Sequence, residues 1–303
     1  MRLRFLTADV FTDRIFGGNQ LAVLPDGRGL TTVQMQNTAR EFNFSETVFV
    51  LPPESSRHTR RIRIFTPNAE LPFAGHPTIG TAHVLAAIGE ITLEGETTDI
   101  VLEEGVGPVS VTVRARDRRP VSARLRAPRP PEFGPPPPPR AELAAMLSLD
   151  EADVLDAPDG PQAVSCGLPF LFIPLRDRGA VGRARLRLDV WEKVLARYWS
   201  PHPYLFALDP ENREHDLRAR MFGPAVGVAE DPATGSAGTA LAGYLGARDT
   251  RRDGTLRWVV EQGYEMCRPS LLEIDAVKKH GAITETGVGG CSVLVSDGLI
   301  EIP

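Results

Sequence analysis

The sequence predicts an α/β fold of the mixed α+β kind, built from two similar halves. Most of the chain before Pro128 is strand-like, and the run after Glu46 alternates as a half-buried strand does. Each half contains one helix-like segment rich in small residues, at 77–88 and near 237–245. Matching segments also recur at a constant spacing. Together these observations predict a strand-rich layer wrapped around one central helix in each half.

The repeat consists of two pairs of segments that keep nearly one register. Residues 63–67 (RIFTP) resemble residues 220–224 (RMFGP), a spacing of 157 from residue 63 to residue 220. Residues 80–82 and 238–240 both read Gly-Thr-Ala, a spacing of 158. In each pair a strand ends at proline, a loop follows, and a small-residue helix begins. The pattern indicates duplication of one structural unit.

A proline-rich segment, 128–139, separates the halves and includes five consecutive prolines from Pro135. Proline fixes φ and lacks a backbone donor, so this segment is predicted to be an extended connector. The first half then spans 1–127 together with the C-terminal strands 288–303, and the second spans 140–287. Strands of the first half are predicted at 3–10, 46–51, 61–65, 100–102 and 109–113.

After the connector, helices and strands alternate. A helix is predicted at 141–147, and Ser148 with Glu151 has the spacing of a capping box that opens a second, short helix. Strands follow, then the small-residue helix, then further strands. The chain is predicted to end in two short strands, 291–295 and 299–302.

Composition excludes several functional classes. The 303 residues are 42% hydrophobic and 24% charged, which is ordinary for a globular protein. The formal net charge of −5 argues against a nucleic-acid partner, which would need a basic surface. The N-terminus lacks a signal-peptide pattern, and no apolar run approaches the ~20 residues that span a bilayer. We therefore expect a cytoplasmic protein without a membrane partner.

The sequence also predicts neither a metal site nor a cofactor. The three cysteines are far apart, and the six histidines show no ligand spacing. Lysine, which Schiff-base chemistry requires, is scarce. The complete set is Lys193, Lys278 and Lys279.

A loop whose residues could take part in catalysis leads into the first central helix. His76 is followed by Pro77, a residue favoured in the first helical turn, so His76 is expected at or near the N-cap. The partial positive charge of a helix N-terminus lowers the pKa of a histidine and attracts a carboxylate ligand. Alternatively, His76 only caps the helix.

The corresponding loop of the second half is rich in glycine and small residues. Asp231 precedes Gly235 and Ser236, and Ala237 begins the small-residue helix. Such a loop at a helix N-terminus can bind an anion. It is not a Walker loop, because the Gly-Lys-Ser/Thr ending is missing. Asp231 could instead be an ordinary N-cap residue.

Glu46 is a third candidate, at the start of a strand that begins beside Ser45. A carboxylate beside apolar walls has its pKa raised, as a general acid/base needs near neutral pH. A solvent-facing strand-end glutamate is the plainer interpretation. However, if the halves pack about a pseudo-twofold axis, both helix N-termini face one cleft with His76, Asp231 and Glu46. Opposed acid/base groups suit moving a proton between two carbons.

Several ordered motifs from residue 9 to residue 270 resemble one family. They are DVFT at 9–12, GNQLAV at 18–23, NFSET at 43–47, FAGHPT at 73–78, DPATGSA at 231–237, EQG at 261–263 and RPS at 268–270. The chain is identified by them as resembling the phenazine-biosynthesis isomerase (PhzF-like) family, of the diaminopimelate epimerase fold. Gln20 and Cys267 depart from its usual proline and glycine.

The resemblance implies two pseudo-symmetric halves, each a curled, mostly antiparallel β-sheet around a central helix, with the active site between them. It implies a cofactor-independent isomerase of specialised metabolism that moves a double bond by proton transfer. The family's isomerase acts on trans-2,3-dihydro-3-hydroxyanthranilate. The resemblance also implies a homodimer. Related epimerases use a cysteine at the start of each central helix, and these loops have none.

The resemblance assigns roles to particular residues. Glu46 matches the general acid/base, and His76 and Asp231 match the assisting residues. The helix N-termini are expected to hold the substrate carboxylate. The expected substrate-binding residues are Ser45, Gly75, Pro77, Thr78, Gly235, Ser236 and Ala237.

Two further functions stay open at this point. The same acid/base groups could cleave a C–C bond or eliminate water from a related amino acid intermediate. The fold could also serve as a non-catalytic protein that binds small acids. Binding alone would not need three titratable groups, which favours the enzyme.

Overall fold

A computed structural model describes all 303 residues, in seventeen strands and six α-helices. The chain divides into two compact units, residues 1–128 with 288–303 and residues 129–287. The last strand, Ala282–Glu301, belongs to both and is numbered β17. No helix has the length and apolar character needed to cross a membrane.

The first unit contains ten elements before the connector. They are β1 (Arg2–Val10), β2 (Asn19–Leu24), α1 (Thr32–Phe42), β3 (Glu46–Leu51), β4 (Arg60–Phe65), β5 (Glu70–Leu71), α2 (Gly75–Ala87), β6 (Thr97–Glu104), β7 (Gly107–Arg116) and β8 (Arg119–Arg126).

Strand pairing in the first unit closes a ring around α2. β1 pairs antiparallel with β2 and β17, and β2 runs parallel to β3. β4 pairs antiparallel with β3 and parallel with β6, and β7 and β8 follow antiparallel. β8 also pairs with β17, which completes the ring. Every residue of α2 from Gly75 to Ala86 is buried. The mostly antiparallel sheet around a central helix is therefore confirmed.

Helix α1 covers the outside of this sheet and leads directly into the loop before β3. Its N-terminus has a complete capping box between Thr31 and Gln34, and Asn43 ends it at a left-handed φ of 52°. Met35 and Ala39 pack on Phe49 and Phe65 from the strands. Complete burial of each phenylalanine contributes about 1.5–3 kcal/mol. This packing fixes the start of β3, where Glu46 lies.

The second unit contains twelve elements before β17. They are β9 (Glu132–Phe133), α3 (Arg140–Met146), β10 (Gln162–Ser165), β11 (Pro169–Pro174), α4 (Arg178–Arg183), α5 (Leu188–Val194), β12 (Pro203–Ala207), β13 (Leu217–Gly223), β14 (Val228–Asp231), α6 (Gly235–Arg248), β15 (Gly254–Gln262) and β16 (Ser270–Lys279).

The second unit repeats the pairing order of the first. β10 and β11 are antiparallel, β11 and β12 parallel, and β12 and β13 antiparallel. β13 runs parallel to β15, and β15 pairs antiparallel with β16. His280 and Gly281 join β16 to β17 with positive φ at both residues, as a type I′ hairpin turn requires. Helix α6 is the buried central helix, and α3, α4 and α5 cover the outer apolar cluster.

Equivalent glutamate–histidine contacts in the two units show the duplication in detail. The Glu103 carboxylate accepts from the backbone N–H groups of Glu54 and Ser55 and lies 2.7 Å from His58 Nδ1. In the second unit, Glu261 has equivalent contacts with a loop backbone and lies 2.8 Å from His215 Nδ1. The histidines are 157 residues apart and the glutamates 158, as in the sequence repeat. The prediction of two structurally similar halves is confirmed.

Several local predictions were wrong. Ser148 does not cap a helix; it has a φ of 58°, and its hydroxyl donates to the Arg185 carbonyl. The capping box there is formed by Asp150 and Asp153, around a 3₁₀ turn. The two predicted terminal strands are one strand, because β1 pairs along its whole length with β17 and absorbs the break as one register shift. Helices α1 and α4 were not predicted.

Candidate active site

The N-terminus of α2 carries the first group of candidate residues. Ala74 is the N-cap, and Gly75, His76 and Pro77 form the first turn, so His76 lies two positions inside the helix. No side chain caps this end. The interpretation of His76 as a simple cap is therefore wrong. Its ring instead contacts the sheet through both nitrogens.

Glu46 and Asn19 flank the His76 ring. His76 Nε2 lies 3.2 Å from Glu46 Oε2, and His76 Nδ1 lies 3.2 Å from the Asn19 amide nitrogen. Asn19 begins β2 and Glu46 begins the parallel strand β3, with Leu21 opposite Glu46. The side chain of His76 is 3% exposed and that of Glu46 14%. The structure thus brings the predicted base and the predicted histidine together.

Burial keeps the His76 ring neutral. It lowers the pKa of His76 to about 3, although a backbone hydrogen bond with Gln20 opposes the shift. A neutral imidazole has one donor and one acceptor nitrogen. Nδ1 lies beside the Asn19 amide, and Nε2 lies on the side of Glu46. Such a ring can pass a proton to or from a neighbouring carboxyl group.

A second carboxyl group lies under the same helix end, and sequence reasoning missed it. Glu104 ends β6, is buried, and has Oε1 2.6 Å from the Thr78 hydroxyl. The Thr78 hydroxyl also donates to the Ala74 carbonyl at 2.7 Å. Burial raises the pKa of Glu104 to about 8, and this effect outweighs the hydrogen bonds with Thr78 and the Ala74 backbone that would favour the charged form. Since one hydroxyl has one proton to donate, a protonated Glu104 completes the chain.

A repeat in the sequence could have revealed Glu104. Residues 103–105 read Glu-Glu-Gly and residues 261–263 read Glu-Gln-Gly, at the spacing of the duplication. Gln262 therefore occupies in the second unit the position of Glu104 in the first. A neutral glutamic acid and a glutamine have similar shape, which fits the raised pKa of Glu104.

The second group of candidates lies at the N-terminus of α6. Asp231 ends β14 and is buried, and its Oδ2 accepts from the Thr234 hydroxyl at 2.6 Å. Gln262 donates to the Asp231 carbonyl at 2.8 Å and to the Thr234 hydroxyl at 3.0 Å. Tyr204 donates to Gln262 at 3.2 Å; burial, and secondarily the Asp231 charge, raises the pKa of Tyr204. This network fixes the loop that enters α6.

Asp231 is not the N-cap of α6, which corrects the plainer interpretation of this residue. The N-cap is Thr234, and no side chain caps this end. Gly235, Ser236 and Ala237 form the first turn and are all buried. A helix N-terminus without a capping side chain keeps backbone donors for an anion.

The remaining predicted binding residues lie at the same helix end as His76. Gly75 is the first residue of α2 and Thr78 completes its first turn, both buried. Ser45 directly precedes Glu46. The predicted residues thus fall into two groups, one at the N-terminus of each unit's central helix.

Neither helix start carries a thiol. Cys166 is buried beside the Thr239 carbonyl, and burial raises the pKa of its thiol to about 11. Cys267 is exposed and Cys291 is intermediate. No group of three or more histidine, cysteine or acidic side chains has the arrangement of a metal site.

Comparison with known proteins identifies relatives of nearly full length. Residues 8–298 match the family described as phenazine biosynthesis-like protein (PhzC-PhzF). An uncharacterized isomerase of Mesorhizobium japonicum is 39% identical, with 98% of each chain covered. A Pseudomonas aeruginosa protein named trans-2,3-dihydro-3-hydroxyanthranilate isomerase is 33% identical and covers 97% of this chain and 98% of its own.

Solved structures agree with the fold. A Bacillus anthracis protein of the PhzF family superposes with a TM-score of 0.87 at 24% identity, covering 100% of both chains. A predicted epimerase from Pseudomonas aeruginosa has a TM-score of 0.80 at 30% identity, covering 99% of this chain and 100% of its own. A hydroxyproline epimerase of Agrobacterium vitis shares the fold at a TM-score of 0.67 and 13% identity, covering 99% and 92%. The chain is therefore an isomerase that belongs to the phenazine biosynthesis-like family.

Proposed function

We propose that this isomerase moves a double bond by proton transfer in a small unsaturated amino or hydroxy acid. The relatives named trans-2,3-dihydro-3-hydroxyanthranilate isomerase make that acid the first substrate to test. One observation carries the proposal, namely the 3.2 Å contact between Glu46 and a neutral His76 at a helix N-terminus. The proposed reaction uses no cofactor.

In this proposal Glu46 removes a proton from one carbon of the substrate and returns it to another. His76 relays or stabilises that proton, because its Nε2 lies within hydrogen-bond reach of the carboxyl group. Asn19 holds the ring through Nδ1. The electron pair of the broken C–H bond moves into the conjugated system, and reprotonation at the other carbon leaves substrate and product with the same atoms.

The N-terminus of α6 is proposed to bind the carboxylate of the small acid. No side chain caps this helix end, so the backbone donors at Gly235, Ser236 and Ala237 suit an anion. Charge-assisted hydrogen bonds to an anion contribute about 1.5–3 kcal/mol each, so two or three suffice to orient a small acid. Asp231, held by Thr234, accepts from an amino or hydroxyl substituent.

The first prediction concerns Glu46→Gln, which keeps the shape but removes the base. In D2O, wild-type protein should convert trans-2,3-dihydro-3-hydroxyanthranilate with loss of vinyl proton signals and deuterium entry at carbon. The variant should lose at least 10²-fold in rate, the usual contribution of a general base. Glu41→Gln, an exposed neighbour at the end of α1, is the matched control and should keep wild-type rates. An active Glu46→Gln variant would contradict the proposal.

A different product would change the assigned reaction but keep Glu46 as the base. Carbon–carbon cleavage or loss of water, detected by mass spectrometry of the same reaction, would replace isomerisation. Binding without turnover, with equal affinity for wild type and Glu46→Gln, would indicate a non-catalytic acid-binding protein.

The homodimer and the cytoplasmic location complete the proposal and come from the family resemblance and the sequence. Multi-angle light scattering of the purified chain tests the first. A mass near twice 33.0 kDa is expected, and a mass near 33.0 kDa would contradict it.

A further inference from the structure

The two units carry the same strand ladder beside their central helices. In the first unit Val48 of β3 pairs with Ile64 of β4. In the second, Tyr204 of β12 pairs with Met221 of β13. Ile64 and Met221 are equivalent residues of the repeated segment, 157 positions apart. Val48 and Tyr204 therefore occupy equivalent places.

A step of two residues toward the start of a strand keeps the same face of the sheet, and His202 directly precedes Pro203, the first residue of β12. From Val48 this step leads to Glu46, the proposed base. From Tyr204 it leads to His202. The parallel neighbour agrees, because the Leu171 N–H donates to the His202 carbonyl, directly before the pairing of Leu171 with Pro203. His202 thus occupies in the second unit the place that Glu46 occupies in the first.

The His202 ring lies on the inner face of the sheet. It is 5.7 Å from the ring of Phe170, which is followed on the same face by Phe172. Phe172 in turn lies 5.7 Å from Tyr244 of α6. The row of rings therefore faces the central helix.

The row of aromatic rings can be followed along α6, from its third turn toward its N-cap. Phe206 contacts Tyr244, in the third turn of the helix. Tyr204 reaches the N-cap instead, through Gln262, whose Oε1 accepts from the Thr234 N–H at 3.3 Å. His202 lies two residues further back, or about 6–7 Å. This order puts His202 at the end of the row that lies beyond Tyr204, on the side of the α6 N-terminus rather than of Tyr244.

His202 is buried without a partner for Nδ1. The residue is 4% exposed, and Nδ1 makes no hydrogen bond. Buried polar atoms are normally paired, so each exception needs an explanation. Burial lowers the pKa of His202 to about 4, which leaves a neutral ring that can donate a hydrogen bond at neutral pH. A bound ligand would supply the missing partner.

We propose that His202 is a substrate-binding residue that donates from Nδ1 to a carboxylate oxygen of the small acid at the N-terminus of α6. This inference rests on the proposed function and adds a side chain to its acid-binding end. The carboxylate is the favoured group because the helix end attracts an anion and a neutral donor does not repel it. The two units differ here, with Glu46 in the first and His202 in the second, for a chemical reason. A glutamate in place of His202 would carry a negative charge that repels the carboxylate of the substrate.

Two substitutions distinguish the role of Nδ1 from that of the aromatic ring of His202. His202→Phe keeps an aromatic ring beside Phe170 but removes Nδ1, and His202→Asn keeps an amide donor near the position of Nδ1. With trans-2,3-dihydro-3-hydroxyanthranilate, the Phe variant should raise KM at least tenfold with kcat changed less than threefold. The Asn variant should stay within about threefold of the wild-type KM.

Binding of anthranilate, a stable aromatic acid, gives a readout independent of turnover. In ¹⁵N-histidine-labelled protein, anthranilate should shift the Nδ1 resonance of His202, which the Phe variant assigns by its absence. Aniline, which lacks the carboxylate, should leave that resonance unchanged. His83→Asn is the matched control, because His83 is equally buried with an unpartnered Nδ1 but lies in the third turn of α2. It should bind anthranilate like the wild type.

Failure of this inference can be distinguished from failure of the proposed function. Wild-type protein that turns over its substrate while the folded His202→Phe variant shows an unchanged KM would overturn the role of His202 alone. Wild-type protein that neither binds anthranilate nor turns over the dihydro acid would overturn both. If the Phe variant does not fold, the wild-type spectrum decides. Anthranilate that binds without shifting any histidine Nδ1 resonance overturns the inference.

Discussion

At the residue scale, the candidate site depends on neutral forms of groups that are usually charged. His76 is neutral because the sheet and helix bury it, and Glu104 is protonated for the same reason. Glu104 lies under the N-terminus of α2, and Gln262 takes the equivalent position in the second unit. The two residues differ in type, but both side chains are neutral. Burial, rather than residue type, sets the electrostatics of this site.

The second prediction concerns Asn19→Ala, which removes the partner of His76 Nδ1. A lost hydrogen bond of about 1–1.5 kcal/mol should lower kcat about tenfold while KM changes little, because the ring no longer holds its orientation toward Glu46. Steady-state kinetics measure both constants. Asn37→Ala, an exposed asparagine on α1, is the control. A kcat equal to that of the control would show that Asn19 does not orient the ring.

The third prediction concerns Glu104→Gln and the pH dependence of stability. The folded pKa of about 8 exceeds the unfolded value of 4.5, so the folded state holds a proton that the unfolded state releases between these pH values. The stabilisation is thus complete below pH 4.5 and is lost as pH rises through 8, a change of a few kcal/mol. Glutamine does not titrate.

Thermal melts at pH 5 and pH 9 compare the two proteins. At pH 9 the Glu104→Gln variant should melt roughly 5 °C or more above the wild type, and at pH 5 the difference should be small. Equal melting temperatures at pH 9 would mean that Glu104 ionises without cost.

At the element scale, a glycine after β15 sets the position of the loop that carries Asp231. Gly263 has a φ of 78°, and a Cβ there would lie 2.4 Å from the Arg268 carbonyl oxygen and 2.5 Å from that of Pro232. Both contacts are with backbone, which cannot move aside cheaply. Gly281 in the β16–β17 turn has a similar φ of 87° but open space around it.

The fourth prediction uses this pair. Gly281→Ala should cost about 1 kcal/mol, the penalty of a positive φ alone, whereas Gly263→Ala should cost roughly 3 kcal/mol or more. Denaturant unfolding measures both. Gly263→Ala should also reduce activity, because Pro232 adjoins Asp231. Equal costs for the two variants would show that the loop at Pro232 yields to the added methyl group.

At the scale of the whole molecule, the first unit is assembled from both ends of the chain. β17 pairs with β1 over 292–301 and also with β8, so the ring of strands closes only when residues 288–303 return to it. Without them, β1 and β8 would become exposed edges, which promote aggregation.

The fifth prediction follows from this arrangement. A fragment of residues 1–128 should be unfolded or aggregated, and a peptide of residues 288–303 added in trans should increase its native β-structure. Circular dichroism and light scattering measure both properties. A peptide with the same residues in scrambled order is the control. A fragment that is monomeric and folded alone would show that the ring does not need β17.

The sequence alone determined the features that local patterns encode. The two halves, the central helices and the motifs at Glu46, His76 and Asp231 could all be predicted, because each depends on contiguous residues or on a repeat of them. The local prediction at Ser148 was wrong because a capping pattern was present but a left-handed φ and a distant carbonyl at Arg185 decided its conformation.

Only the tertiary structure decided which residues meet and how they are charged. Asn19 reaches His76 across 57 residues, and Glu104 lies beneath α2 from a strand that follows it in the chain. The unpartnered Nδ1 of His202 likewise exists only after β11, β12 and α6 have packed. Burial and long-range pairing arise from the whole chain at once, and for that physical reason no local pattern contains them.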